Sequence, residues 1–490
     1  MDMDPRSRGG EAGNVAGDVL DRDPQSLEKR DLPEPLPLRK ILGPGIVAVG
    51  VSMAAGEFIL WPFVTSIAGL GLLWLAVAAL GAQMFINTEI ERYTLATGET
   101  AVTGFARFWK PWGLFFCLAA IFQYAWPGWA SGASAVLTFA LGVGEGWVVP
   151  ITIVSLFLIG FALTISPVVY QTVEKVEFFK VGATIFFLIV VVVGVISFRA
   201  WSEAPAQVAG GFGQIPAGLS IALVLGAIGA AGGGGISNLV LSNWIRDKGY
   251  GMGVHVPRLV SPVTGEVVAA PSTGYIFPQD EANLARWKVW WRRANIEHFV
   301  SFFVICLITI SIMSLLAYST IYGQNLSEEP NTDFLQAEGE VLGQTIGAWF
   351  QYFFYAVGAI SLYAAALGLL DVLGRVVSDV LKVGYLANST FWSESKIYFV
   401  VVWAEIVIGS LIMLAGVDQP IVLLVIATAA GAVVTFIYSV LLVKLNRSGL
   451  PSAIQIRGFR LVGLGLGILF YGFFSVLLVI NQVGSLFGGG

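Results

Sequence analysis

Side chains able to do chemistry are rare in the apolar parts of this 490-residue sequence, and they gather in a few places. One is VGVSMAAGE (49–57), where Ser52 and Glu57 flank Ala54, Ala55 and Gly56. A second is GAIGAAGGGGISNLVL (226–241), where Gly232, Gly233, Gly234 and Gly235 precede Ser237 and Asn238. Ser361 and Asp371 in a later apolar run, and Thr428 in another, complete the set. A carboxylate with hydroxyl and carbonyl oxygens is a hard ligand set suited to Na+ or Mg2+. Successive glycine amides at a helix start suit a small oxyanion. Covalent chemistry finds no such footing: no nucleophile–histidine pair, metal-ligand cluster or cofactor motif stands out, which makes an enzyme the least favoured class. His255 and His298, the two histidines, fall outside the apolar runs, and no transition-metal site is expected at mid-membrane. Cys117 and Cys306 fall inside apolar runs and read as packing residues rather than a disulfide or metal pair.

The solvent decides which elements position these residues. The chain is 56% hydrophobic and 12% charged, with mean hydropathy +0.79, against about a quarter charged in soluble domains. Apolar runs near the roughly 20 residues that cross a bilayer as helix lie at 41–66, 71–91, 111–142, 147–168, 178–198, 215–243, 299–321, 346–373, 398–416, 420–443 and 459–481. They predict an all-α integral membrane protein of eleven spans, with the lipid bilayer as its main partner. Residues 1–40 carry charges and prolines without an apolar h-region and read as a flexible cytoplasmic tail, not a signal peptide. With the N-terminus inside, all 27 Lys and Arg except Arg199 fall on the cytoplasmic side. That places the C-terminus outside a plasma (inner) membrane. In the loop 244–297, SPVTGEVV reads as a short hairpin and ARWKVWWRRANIEHF as a helix anchored at the headgroups. No basic stretch suggests nucleic acid.

An internal repeat organises the spans. Gly50 matches Gly226, and Ala54-Ala55-Gly56 matches Ala230-Ala231-Gly232, five spans apart. An odd number of spans inverts the second copy, so 41–198 and 215–443 read as two five-helix inverted repeats, with 459–481 as an added helix. Each helix-interior glycine costs about 1 kcal/mol relative to alanine, and unwound backbone at mid-membrane is tolerated only where it lines a cavity or is buried in protein. Four glycines in a row cover every face of a helix, more than close helix packing requires. A broken sixth span is the expectation, paired with a broken first span.

GPGIVAVGVSMAAGEF (43–58), LLWLAVAALGAQMFINTEIERYTLATG (72–98) and NLVLSN (238–243) resemble the first, second and sixth helices of the Nramp superfamily of metal-ion transporters. VEKVEFF and the KLNR end of the tenth span extend the likeness. The resemblance implies a LeuT-type fold, eleven helices, broken helices 1 and 6, and alternating access. It also implies losses. Ala54, Ala55, Gly56 and Glu57 stand where the family has Asp-Pro-Gly-Asn. Gly235, Ile236 and Ser237 stand where it has Met-Pro-His, and Trp126 and Trp129 replace its acidic proton route. Proton-coupled transition-metal transport does not fit these residues.

The resulting expectation is a Na+-coupled secondary transporter of bicarbonate or a similar small oxyanion. Ala54–Gly56, Gly232–Gly235, Ser237 and Asn238 would hold the substrate. Glu57, with Ser52, Asp371, Ser361 and Thr428, would hold Na+ as coupling ion. No cofactor is called for. Each residue has a plainer reading. Glu57 would cap the free amides of its own helix, Asp371 would pair with Arg375 four residues on, and Ser361 would bond within its helix. Glu89, Glu91 and Glu405 read as interfacial or packing residues. The alternatives are a Mg2+ or Mn2+ transporter using Glu57 directly, and a channel or non-transporting sensor on the same fold. With no Lys, Arg or His expected in the core, an anion would rely on helix dipoles and a co-bound cation.

Overall fold

A computed structural model describes residues 20, 23–37, 44–52, 54–165, 169–216, 218–256, 273–324 and 330–487. All regular elements among them are helical apart from one isolated bridge, Lys29 to Ile276. The helices are α1 (Pro44–Ser52), α2 (Trp61–Ala68), α3 (Leu73–Thr97), α4 (Ala101–Phe108), α5 (Pro111–Tyr124), α6 (Gly128–Leu141), α7 (Val148–Ile165), α8 (Val169–Gly194) and α9 (Phe198–Gly210). They continue as α10 (Ile221–Ala230), α11 (Ile236–Lys248), α12 (Glu281–His298), α13 (Ile305–Thr320), α14 (Asp333–Thr345), α15 (Ala348–Gly384), α16 (Glu394–Leu414), α17 (Pro420–Ser448) and α18 (Phe459–Phe487). Wide turns of π-helix, Ala55–Leu60 and Phe299–Val304, lead into α2 and join α12 to α13.

Nine helices among the described residues are long and apolar enough to cross a membrane. Two further apolar runs are each split. Run 215–243 breaks between α10 and α11, as expected. Run 111–142 breaks between α5 and α6, which was not expected: Pro127 lacks an N–H and its ring excludes the preceding turn, so the helix restarts at Gly128. Lipid takes the place of water on the outside. On α7, Val154, Leu158, Phe161 and Ile165 repeat at helical spacing and are all more than half exposed.

At the centre, α10 packs along α17, α15 along α6, α8 along α1, and α11 along α3. The first and sixth spans thus lie inside the bundle, which is why Ala54–Thr65 of the first is buried without interruption.

Two regions differ from expectation. Residues 23–37, assigned to a flexible tail, run from the end of α17, where Gln25 donates to Ser448 O, to α12. Arg30 N–H donates to Ile276 O at 3.1 Å, Leu32 N–H to Asn283 Oδ1 at 2.8 Å, and Trp290 Nε1 to Pro33 O at 2.8 Å. The apolar side chain of Leu32 is buried there, a contact that composition alone does not reveal. The loop 244–297 is also largely structured: α11 runs to Lys248, and α12 continues the seventh span, burying Trp287 and Trp290 against protein. The SPVTGEVV stretch and residues 1–19 and 38–43 lie outside the described residues.

Candidate ion-binding site

The first span breaks after α1. Ala54 leaves helical geometry (φ −151°, ψ −84°), its carbonyl accepts from Phe58 N–H at 2.9 Å, and the chain resumes as the π turn. The sixth span breaks over a longer stretch. Gly232, Gly233, Gly234 and Gly235 have φ of +82°, +102°, +49° and +64°, a left-handed run that only glycine adopts at low cost. The two breaks touch: a Cβ on Gly56 would stand 2.5 Å from Ala230 O. The repeat is therefore unequal in shape, with a short kink in one copy and a five-residue unwinding in the other.

Breaking α10 and α11 frees amides and carbonyls at their ends, and in this conformation side chains of the surrounding helices take them up. Gly234 N–H donates to Gln83 Oε1 at 3.3 Å, Gly235 N–H to Thr435 Oγ1 at 2.7 Å, Ile236 N–H to Gln123 Oε1 at 3.1 Å, and Ser237 N–H to the Tyr124 hydroxyl at 3.0 Å. Gln83 Nε2 donates to Ala231 O. Ser237 Oγ turns back to Gly234 O at 2.8 Å, and Asn238 Nδ2 donates to Gln83 Oε1 at 3.0 Å. The Gly234, Gly235 and Ser237 amides and the Ser237 and Asn238 side chains, all expected to cradle an oxyanion, are thus engaged by neutral protein oxygens here. Gln83, Gln123, Tyr124 and Thr435 are the residues that sequence reasoning missed. Nothing local marks them, because they come from three helices, α3, α5 and α17, remote in sequence from the glycines and brought to the break only by packing.

Glu57 is different. It is 1% exposed, and neither carboxylate oxygen has a hydrogen-bond partner of good geometry. It curls over the first amides of its own segment and feels the charge of Lys180. Lys180 on α8 is fully buried, donates to Gly50 O at the end of α1, and pairs with Glu177 at 3.4 Å. An ammonium at a helix C-terminus is favoured by the dipole and satisfies an orphan carbonyl. This corrects the expectation of a core without cations. The signal was present in VEKVEFFK (173–180), where Glu177 and Lys180 are spaced three apart, but the fifth span begins well before 178 and draws both inside.

The remaining candidates scatter. Asp371 accepts from Arg375 Nε at 2.7 Å, Trp244 Nε1 at 3.2 Å and the Tyr398 hydroxyl at 2.8 Å. The Arg375 pairing is the one found in this structure. That pair joins a buried network in which Arg375 also meets Asp247, and Arg246 meets Asp379 at 2.7 Å and Glu394 at 3.2 Å. Ser361 Oγ lies 3.4 Å from Thr184 Oγ1, between α15 and α8. Thr428 Oγ1 donates to Leu424 O at 2.7 Å within α17, where that helix meets Gly226 and Gly229 of α10. Ser52 ends α1, and its side chain lies outside the described residues. Glu405 lines a cleft of about 380 Å³, counted to its mouth, with Tyr124, Trp126, Trp129 and Ala366.

No protein-family model matches the sequence, and no curated protein matches it significantly. Solved structures do. The Eremococcus coleocola manganese transporter in complex with an aromatic bis-isothiourea substituted compound superposes with a TM-score of 0.63 at 14% identity, covering 94% of this chain and 91% of that one. A mutant of the same transporter gives 0.62 at 13%, covering 95% and 92%. The fold is of the Nramp type. MhsT in complex with L-phenylalanine matches with a TM-score of 0.53 at 13% identity, covering 92% and 99%, which places the fold in the wider LeuT-type architecture.

Proposed function

We propose that this protein is a secondary active transporter of a small inorganic ion, working by alternating access, with one monovalent cation held at Glu57 as coupling ion. The Glu57 carboxylate at the break carries this reading. Lys180 is shared with Glu177, and neither oxygen of Glu57 has a hydrogen-bond partner of good geometry, so an ionised Glu57 has no counter-ion of its own. A lone buried charge is costly unless paired. Na+ balances it, with carbonyl and hydroxyl oxygens to complete its ligands, and Na+ entry would drive an anion inward against about 2.3 kcal/mol per charge per 100 mV. Bicarbonate is the proposed cargo, with Gln83, Gln123 and the Tyr124 hydroxyl turning away to release the glycine-turn amides.

A second reading, in which Mg2+ or Mn2+ is itself the cargo at Glu57, is supported by the fold neighbours, which are named as manganese transporters. Proteoliposome flux separates the two. Saturable uptake of labelled bicarbonate that requires an inward Na+ gradient at fixed pH, and is lost in Glu57→Gln, is the expected result. Mn2+ or Mg2+ entry without bicarbonate uptake would replace the first reading by the second, and diffusive flux insensitive to gradients would point to a channel.

A further inference from the structure

A second cluster of ligating side chains lies away from the break. Glu91 on α3 and Glu297 and His298, the last two residues of α12, present one ligand atom each within 4.8 Å of one another, and all three are buried. His298 Nδ1 stands 3.1 Å from Glu91 Oε1 without the alignment of a hydrogen bond, and neither ring nitrogen of His298 nor Glu91 Oε2 has a hydrogen-bond partner. Nearby cations are engaged elsewhere: Arg92 and Arg460 with Glu89, and Lys248 with Glu174, although the charge of Arg460 reaches Glu91 through space. Phe302 stacks on the imidazole at 4.7 Å and fixes its plane. The chain passes directly into the π turn Phe299–Val304, a distortion often found at functional sites.

We propose that Glu91, Glu297 and His298 bind one divalent first-row cation, Mn2+ or Zn2+. Two carboxylates and one imidazole form a mixed oxygen–nitrogen set suited to such ions. Ligands about 2.1 Å from one ion and at right angles are about 3 Å apart, the spacing seen between Glu91 and His298. The site is distinct from the break, since Gly45, whose N–H donates to Glu297 Oε1 at 3.1 Å, lies twelve residues before Glu57. An ion there ties α3 to α12 and, through Gly45, to the first turn of α1. Occupancy therefore restrains the start of the broken first span against its neighbours.

The test uses tag-free full-length protein in detergent, stripped with chelator and titrated with Mn2+ alone. Electron-spin-echo spectroscopy reads whether an imidazole nitrogen is bound to the ion. One Mn2+ per chain with nitrogen coupling, displaced by Zn2+, is expected. His298→Ala should abolish the coupling and weaken binding about tenfold or more, while Glu57→Gln and His255→Gln leave both unchanged. The unmutated protein decides the question even if His298→Ala fails to fold. Absence of bound Mn2+, nitrogen coupling that survives His298→Ala, or loss of binding in Glu57→Gln would each overturn the proposal, and none of these bears on whether bicarbonate is carried.

Discussion

Glu57 lies in a part of the bundle where ionised side chains are costly, and its nearest compensation, Lys180, is already shared with Glu177 and the end of α1. Glu57→Gln preserves shape and removes the charge. Transport coupled to Na+ should fall at least about tenfold, while the thermal midpoint in detergent stays equal or rises, since an uncompensated buried charge is lost. A large fall in the midpoint would mark Glu57 as a structural cap instead. Asp371 is expected to behave in the opposite way. Asp371→Asn leaves Arg375 with a weakened partner in a buried network, and breaking such a pair costs on the order of 3–5 kcal/mol. Thermal or denaturant unfolding should register that loss. The sequence made both residues visible, because a carboxylate in an apolar run is conspicuous. It did not separate their environments, because the partners of Asp371, Trp244 and Tyr398, come from other helices.

At the scale of elements, the two breaks depend on glycine for different reasons. Gly56 is required by close approach to Ala230, so Gly56→Ala should cost about 1–3 kcal/mol through overpacking and abolish uptake. Gly234 is required by its φ of +49°; Gly234→Ala should cost about 1–2 kcal/mol and impair uptake while leaving the remaining helices folded by circular dichroism. The glycine run made the sixth-span break legible, whereas the break at Pro127 lay inside a run long enough to pass as one helix. A separate element carries a pH signature. Glu338 on α14, outside the membrane-crossing helices, is fully buried. That burial pushes its carboxyl up to about 8, opposed only by the Thr320 hydroxyl at 3.4 Å. The folded protein thus keeps a proton that the unfolded chain releases near pH 4. The stabilisation is complete below that value and is lost as pH rises towards 8. Thermal midpoints measured from about pH 5 to pH 8 should decline, and Glu338→Gln should flatten the decline; an unchanged slope would contradict the assignment.

For the whole molecule, composition and apolar run length were enough for a helical membrane bundle, and the weak repeat located both breaks. What remained hidden was long-range. Residues 23–37 are ordered by Asn283, Arg286 and Trp290, more than two hundred positions away, and the glutamine and tyrosine side chains that fill the glycine turn come from α3 and α5. Neither follows from local pattern, since both arise only once the helices are assembled. The central claim is that one monovalent cation balances Glu57. Binding of radioactive sodium to the purified protein at fixed pH tests it most directly: saturable binding of one Na+ per chain that disappears in Glu57→Gln is the result expected, and absence of Na+ binding, or binding unchanged by Glu57→Gln, would contradict it.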